Sequence, residues 1–126
     1  MKNMIFELSG ETPSKKNSRI NTRSGRSFPN KLYTKWHDEA VREIHYYLMS
    51  KKITPIEAGK KISITFTFFH GDLKRRDSDN QCSSVLDTLI DAGIIPDDNW
   101  KVVPRKLIID EYDKGNPHCL IKIEEL

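Results

Sequence analysis

The sequence predicts an α+β fold, a two-layer arrangement in which about four strands of a mixed sheet pack against two helices, and three stretches carry the prediction. In residues 61–70, Ile62, Ile64, Phe66 and Phe68 alternate with Ser63, Thr65 and Thr67, the period of a strand with one buried face. From Thr34 the period becomes helical. Trp36, Ala40, Ile44 and Leu48 recur every four residues, and Val41 and Tyr47 widen the stripe to about Ser50. From roughly Asn80 to Ala92, Cys82, Val85, Leu86, Leu89 and Ile90 form the apolar face of a second helix, and Gly93 stands where a left-handed C-cap is expected.

The remaining elements fit around these. Met4–Leu8 is a short apolar strand closed by Ser9-Gly10. Residues 10–30 are rich in Ser, Asn, Gly, Pro and basic side chains and show no period, which predicts a long loop. Pro55 and Gly59 turn the chain after the first helix. Val102–Ile109 and Cys119–Ile123 are predicted strands, with a turn at Lys114-Gly115-Asn116-Pro117 between them. The chain has no internal repeat, and its 126 residues suit one domain, 1–126, with the basic 10–30 loop inside it.

Composition narrows the class. A hydrophobic content of 37% beside a charged fraction of 31% implies a modest core and a second subunit to share buried surface. The net charge of +3 is unevenly spread: residues 1–60 hold twelve Lys/Arg against six Asp/Glu, and residues 61–126 hold nine against twelve. Such a split suits an anionic polymer gripped by one surface and worked on by another. Cys82 and Cys119 form no CxxC pair and lie in no His/Cys cluster, which argues against a zinc site or a disulfide framework. The first ten residues carry too short an apolar run for a signal peptide, and no membrane span is present. A cytoplasmic, reduced protein is expected.

Asp77, Asp79 and Asp98 are the candidate chemistry. Asp77 and Asp79 stand two apart between a strand and a helix, and in an extended segment such residues address the same point. Adjacent carboxylates repel unless a cation lies between them, and an all-oxygen donor set selects Mg²⁺, with Mn²⁺ as substitute, over zinc. A helix of about thirteen residues carries the chain some 20 Å from Asp79. Ile94–Asp98 can return about 17 Å if extended, so Asp98 can reach the pair. Other readings stay open on spacing alone: an Asp ahead of a helix also serves as an N-cap, and Asp97-Asp98 also suits a plain turn. An EF-hand does not fit, because Cys82 stands at its glycine position and Thr88 at its closing glutamate. Lys74, Arg75 and Arg76 abut the pair, as phosphodiester hydrolysis requires when cations hold the flanking phosphates.

The run Arg75-Arg76-Asp77-Ser78-Asp79-Asn80, then Leu86-Asp87-Thr88-Leu89, then Ala92-Gly93-Ile94-Ile95-Pro96-Asp97-Asp98, resembles the RusA family of Holliday-junction resolvases. The match covers about residues 60–126, and Pro13-Ser14-Lys15-Lys16-Asn17 resembles the family's N-terminal segment. The resemblance implies a homodimer of two-layer subunits that binds four-way DNA junctions and nicks two strands symmetrically with Mg²⁺, in recombination and repair. It places catalytic and metal-binding roles on Asp77, Asp79 and Asp98. Small resolvases of this type are often phage-borne. One departure stands out: the family's helix lysine, four residues after the second Asp of the motif, is Ser83 here, which leaves Lys74, Lys101 or a lysine of the 10–30 loop to substitute.

Between Thr12 and Lys35 lie seven Lys/Arg and no acid, among them Lys15, Lys16 and Arg19. Four phosphate contacts on duplex DNA give a log–log salt slope of about −3.6. Lys15, Lys16, Arg19, Lys74, Arg75 and Arg76 are the candidate DNA contacts. Trp36 belongs to the helical stripe and is expected in the core, with base stacking as its other possible use. His70 closes the central strand beside the motif and is expected at the surface. Two competing functions remain from the residues: a junction-binding protein that does not cut, and a flap or fork nuclease on the same scaffold.

Overall fold

The computed structural model describes residues 1–14, 19–21, 27–29 and 31–126. In chain order its elements are β1 (Asn3–Ser9), β2 (Arg19–Asn21), β3 (Ser27–Pro29), α1 (Lys31–Lys51), β4 (Ile62–His70), α2 (Ser78–Asp91), β5 (Arg105–Tyr112) and β6 (His118–Glu125). A four-stranded sheet runs β1-β6-β4-β5, with β4 and β5 parallel and its other pairings antiparallel. This is the expected α+β layer with a mixed sheet and two helices. Within the stretch expected to be a long loop, β2 and β3 pair as a short ribbon. Three-residue strands are too short to show alternation, so the sequence offered no sign of them.

One face of the sheet makes the core. Met4, Phe6 and Leu8 of β1, Ile62, Ile64, Phe66 and Phe68 of β4, and Cys119, Ile121 and Ile123 of β6 are buried in turn, as period two requires. Against them lie Trp36, Ala40 and Ile44 of α1 and Val85 and Leu89 of α2. Each fully buried aliphatic or aromatic side chain contributes about 1.5–3 kcal/mol. Trp36, expected in the core, is only 7% exposed. Helix α1 also covers the outer edge of β1: the Ile5 amide donates to Tyr47 Oη at 3.1 Å, and the Ser9 amide to Glu43 Oε1 at 3.1 Å. Those edge amides would otherwise invite another strand.

Several boundaries differ from expectation, among them the starts of α1 (Lys31 rather than Thr34), β5 and α2. Strand β5 starts at Arg105 rather than Val102, because the Val102 and Val103 amides both turn back onto the Asn99 carbonyl and Pro104 has no N–H to offer a ladder. The expected turn after β5 is present and leads to β6 on the other side of β4, which lies between those strands. Helix α2 starts at Ser78, two residues before the expected Asn80. Its other end is as expected. Gly93 has φ +77, its amide donates to the Ile90 carbonyl at 2.9 Å, and the Ile94 amide donates to Leu89 at 3.1 Å. That pair of bonds is a Schellman cap.

The parallel unit β4-α2-β5 positions the motif. Residues 71–77 leave the end of β4 and enter α2, and β5 returns alongside β4 with Asp110 opposite Phe68 and Tyr112 opposite His70. Gly71 is required by a close approach: a Cβ there would lie 2.8 Å from Pro117 Cδ. Its carbonyl accepts from the Gly115 amide at 2.9 Å, so the turn after β5 packs on the start of the motif loop.

Candidate functional site

The early start of α2 changes the relation between the first two aspartates. Asp77 is the N-cap residue, extended at φ −101 and ψ 104, and Asp79 already lies in the first helical turn. Helical residues turn about 100° per position, so the i, i+2 alternation expected of an extended segment does not apply. Asp77 lines a cleft with Arg75, Arg76, Asn80 and Gln81. Asp79 lies on the Cys82 side of the helix, where both it and Asp98 raise the charge cost of ionising that thiol. Among the described residues no three His, Cys, Asp or Glu side chains are gathered closely enough to hold a metal ion.

The chemistry of the donor set nonetheless suits a hard cation. Although Asp77 occupies the N-cap position, its side chain makes no capping hydrogen bond. Asp97 is the turn former of the doublet: its carboxylate accepts from the Asp98 amide at 2.7 Å and from Asn99 Nδ2 at 3.0 Å. Asp98 is thereby left to other uses. Partial burial, together with the negative charges of Asp97 and Asp87, pushes its carboxyl above the usual carboxylate range. A carboxylate so placed gains from a nearby cation.

Around these acids the structure builds a continuous polar network, and His70 is its centre. Its Nε2 lies 2.8 Å from Asp110 Oδ1 and its Nδ1 3.0 Å from Glu11 Oε2. Asp110 accepts in turn from Ser78 Oγ at 2.8 Å. Glu11 Oε2 accepts from Gln81 Nε2 at 2.8 Å, and Gln81 also donates to the Thr12 carbonyl at 2.7 Å. Arg76 pairs with Asp72 at 2.7 Å and with Glu11 at 3.4 Å. Arg76, Ser78 and Gln81, which bracket Asp77 and Asp79, are thus tied to β4, β5 and the segment after β1. Burial lowers the affinity of His70 for a proton, but the Asp110 and Glu11 hydrogen bonds outweigh it and hold the pKa above 6.5. Hydrogen bonding to Arg76 and to the Lys74 amide lowers the exposed Asp72 to about 2.

The expected DNA contacts divide. Lys15 and Lys16 lie outside the described residues; Arg19 begins β2, and its side chain is outside the description. Lys74 and Arg75 are exposed. Arg76 differs from the expectation: its guanidinium is engaged by Asp72 and Glu11, so a phosphate contact would require it to leave two carboxylates. His70, expected at the surface, is largely enclosed, its side chain 16% exposed. Cys82 and Cys119 are free and buried, and burial pushes Cys82 up to about 11 and Cys119 higher still, which fits the packing role expected of both.

Sequence reasoning missed Glu11, Asp110, Gln81 and Lys106. The charge of Lys106 on β5 acts on the Cys82 thiol, as do those of Asp79 and Asp98, and the Lys106 Nζ donates to the Val103 carbonyl at 3.1 Å. Ser83, at the position of the family lysine, is exposed on α2. The misplaced start of β5 concealed which residues of that strand face the helix. Glu11 and Asp110 are distant in sequence from the motif, and only the sheet order β1-β6-β4-β5 brings them to it.

Two comparisons with known proteins bear on this geometry. The family model described as endodeoxyribonuclease RusA matches residues 10–124. A protein of Aquifex aeolicus (strain VF5), the crossover junction endodeoxyribonuclease RusA, is 27% identical over 109 residues, covering 86% of this chain and 81% of its own length.

Proposed function

This chain belongs to the RusA family of endodeoxyribonucleases, and from that premise we propose that it resolves four-way DNA junctions by paired, Mg²⁺-dependent nicks. The observation that carries the proposal is the pair of acids in the Arg76-Asp77-Ser78-Asp79 run. The Asp77 side chain makes no capping hydrogen bond; Arg76 and Ser78 beside it are fixed by Asp72 and Asp110. Asp77, Asp79 and Asp98 would hold the ion, with Mn²⁺ as substitute. The bound metal supplies an acidified water and charge stabilisation at the scissile phosphate.

The residues of the chain do the rest. Lys74 and Arg75, with Lys15, Lys16 and Arg19, hold phosphates flanking the scissile bond, and Arg76 adds its charge from within the network. Lys106 takes the place of the family's helix lysine, because its charge acts on the Cys82 thiol as do those of Asp79 and Asp98. The enzyme acts in the cytoplasm as a homodimer, since symmetric nicking of two strands needs two sites. No helix among the described residues is long and apolar enough to cross a membrane.

The test is cleavage of a labelled four-way junction with and without Mg²⁺. Asp77→Asn is expected to abolish nicking while leaving junction binding intact or tighter. Nicking that persists in Asp77→Asn sinks the assignment. Binding without nicks by the unaltered protein favours a junction-binding protein instead, a reading that the exposed Ser83 supports. Equal cutting of flaps, forks and junctions favours a broader branched-DNA nuclease.

A further inference from the structure

The cleft beside Asp77 has contents that phosphate binding and metal binding leave unused. It is an open cleft of about 590 Å³ whose lining includes Arg75, Arg76 and Asp77 together with Pro13, Leu32 and Trp36. That volume is in the range of small-molecule sites. Among the described residues, the buried side-chain polar atoms without a hydrogen-bond partner are Glu11 Oε1, Thr12 Oγ1, Trp36 Nε1 and Gln81 Oε1, and all of these residues line this one cleft. Thr12 and Gln81 are each 2% exposed and Trp36 is 7% exposed. Leaving a buried polar group unmatched costs on the order of 1–3 kcal/mol, and this concentration in one cleft marks a surface built to meet a polar partner.

The chemistry of the four atoms is fixed. The Gln81 amide nitrogen is committed to Glu11 Oε2 and the Thr12 carbonyl, so the buried Gln81 Oε1 is left as an unmatched acceptor. Glu11 Oε1 lies 3.4 Å from Arg76 Nε, close enough for charge attraction but outside hydrogen-bond geometry, and it too is an acceptor. Trp36 Nε1–H is only a donor, and the Thr12 hydroxyl serves in either sense. Two obligate acceptors, one obligate donor and a hydroxyl, set in walls made partly of Trp36, Leu32 and Pro13, match a flat aromatic heterocycle with an amino group beside a ring nitrogen or carbonyl.

We propose that this cleft receives one unstacked nucleobase of the DNA substrate, next to the phosphate that is cut, and favours bases bearing an exocyclic amino group over thymine. The inference rests on the nuclease reading above and deepens it. A branched substrate makes the extrusion easier, because bases at an open branch point are less completely stacked and paired. Arg75 at the rim of the cleft holds the backbone of the same nucleotide. The polar atoms within the cleft then read its base edge, and the aspartates beside it act on its phosphate.

The test uses four-way junctions identical except at the nucleotide adjoining the scissile phosphate, varied through the four natural bases and an abasic residue, on the 5′ side and then the 3′ side. Cutting is measured in Mg²⁺ for the unaltered protein, Thr12→Val and Trp36→Phe, and binding in Ca²⁺. On one of the two sides, an abasic residue is expected to slow cutting about tenfold and thymine roughly fivefold. Both conservative variants should flatten the series towards the abasic rate while binding the abasic junction as before. Equal cutting of every junction overturns the inference, as does a base preference that both variants keep in full.

If the unaltered protein cuts no junction, the nuclease reading fails separately. The cleft is then tested by quenching of Trp36 fluorescence in a Trp100→Phe background. Saturable quenching by dAMP, dCMP and dGMP, and not by deoxyribose phosphate, supports the base site; no quenching overturns it.

Discussion

Two sets of acids meet around the first turn of α2, and they are treated in opposite ways. Asp72, Asp110 and the Oε2 of Glu11 are matched to His70, Arg76, Ser78 and Gln81. Among the described residues the Asp77 side chain makes no capping hydrogen bond and neither Asp77 nor Asp79 makes an ion pair, and Asp98 bears the added repulsion of Asp97 and Asp87. Satisfied charges fix a structure; unsatisfied ones are available for chemistry. The contrast teaches that the motif is a rigid frame of paired groups that presents a few unpaired ones.

The largest effect should come from the unpaired side. Asp77→Asn, Asp79→Asn or Asp98→Asn is expected to lower the single-turnover rate of junction nicking by about a thousandfold or more, an order of magnitude proper to the loss of transition-state charge stabilisation, with thermal stability unchanged or raised as repulsion is relieved. A fall in stability matching the fall in rate would erase the distinction between the two sets. Lys106→Met comes next: a loss of roughly ten- to a hundredfold in nicking with junction affinity kept, measured side by side with Lys101→Met, which should have little effect.

On the paired side the effects should be on stability and on pH. Because the pKa of His70 is raised above 6.5, the sign is set. Its bridging imidazolium stabilises the fold fully below pH 6.5, and that contribution is lost as the pH rises through the raised value. The difference in melting temperature between the unaltered protein and His70→Gln should therefore be greatest near pH 6 and shrink towards pH 9; a difference that grows with pH refutes the bridge. Gly71→Ala should cost about 1–3 kcal/mol in denaturant unfolding through its contact with Pro117, and should loosen the motif loop as well. The smallest effect is expected from Lys74→Ala or Arg75→Ala. Each should reduce the magnitude of the salt slope of junction binding by about one, with the nicking rate of the saturated complex little changed.

What the sequence disclosed follows from how local each signal is. The alternation of Ile62 to Phe68 and the four-residue stripe of α1 are dictated by which face meets the core, so both elements were legible with their buried sides. The aspartates were singled out because Asp77-Ser78-Asp79 and Asp97-Asp98 are each short contiguous runs. The start of α2 was not, since Ser78 and Asp79 are polar, exposed or half-exposed, and add nothing to an apolar period. That two-residue error carried the expectation that Asp77 and Asp79 share one extended segment, whereas Asp79 lies in the first turn of α2. The pairing of Glu11, His70 and Asp110 was beyond reach because it depends on strand order. A parallel β4-β5 pair with β6 on its other side cannot be read from the spacing of the strands alone.

That strand order has a temporal consequence. Strand β6 follows every other element in the chain and yet lies between β1 and β4. While the chain is being made, β1 has no neighbour in the sheet to pair with, and Glu11, just beyond it, has no fixed place from which to hold His70. The frame around the aspartates can therefore close only after β6 has emerged. Such long-range pairing folds slowly compared with local helix contacts. An unfinished chain would carry the complete acidic motif without the frame that orients it, so the capacity to cut DNA would arrive with the last strand rather than with the residues that perform the cutting.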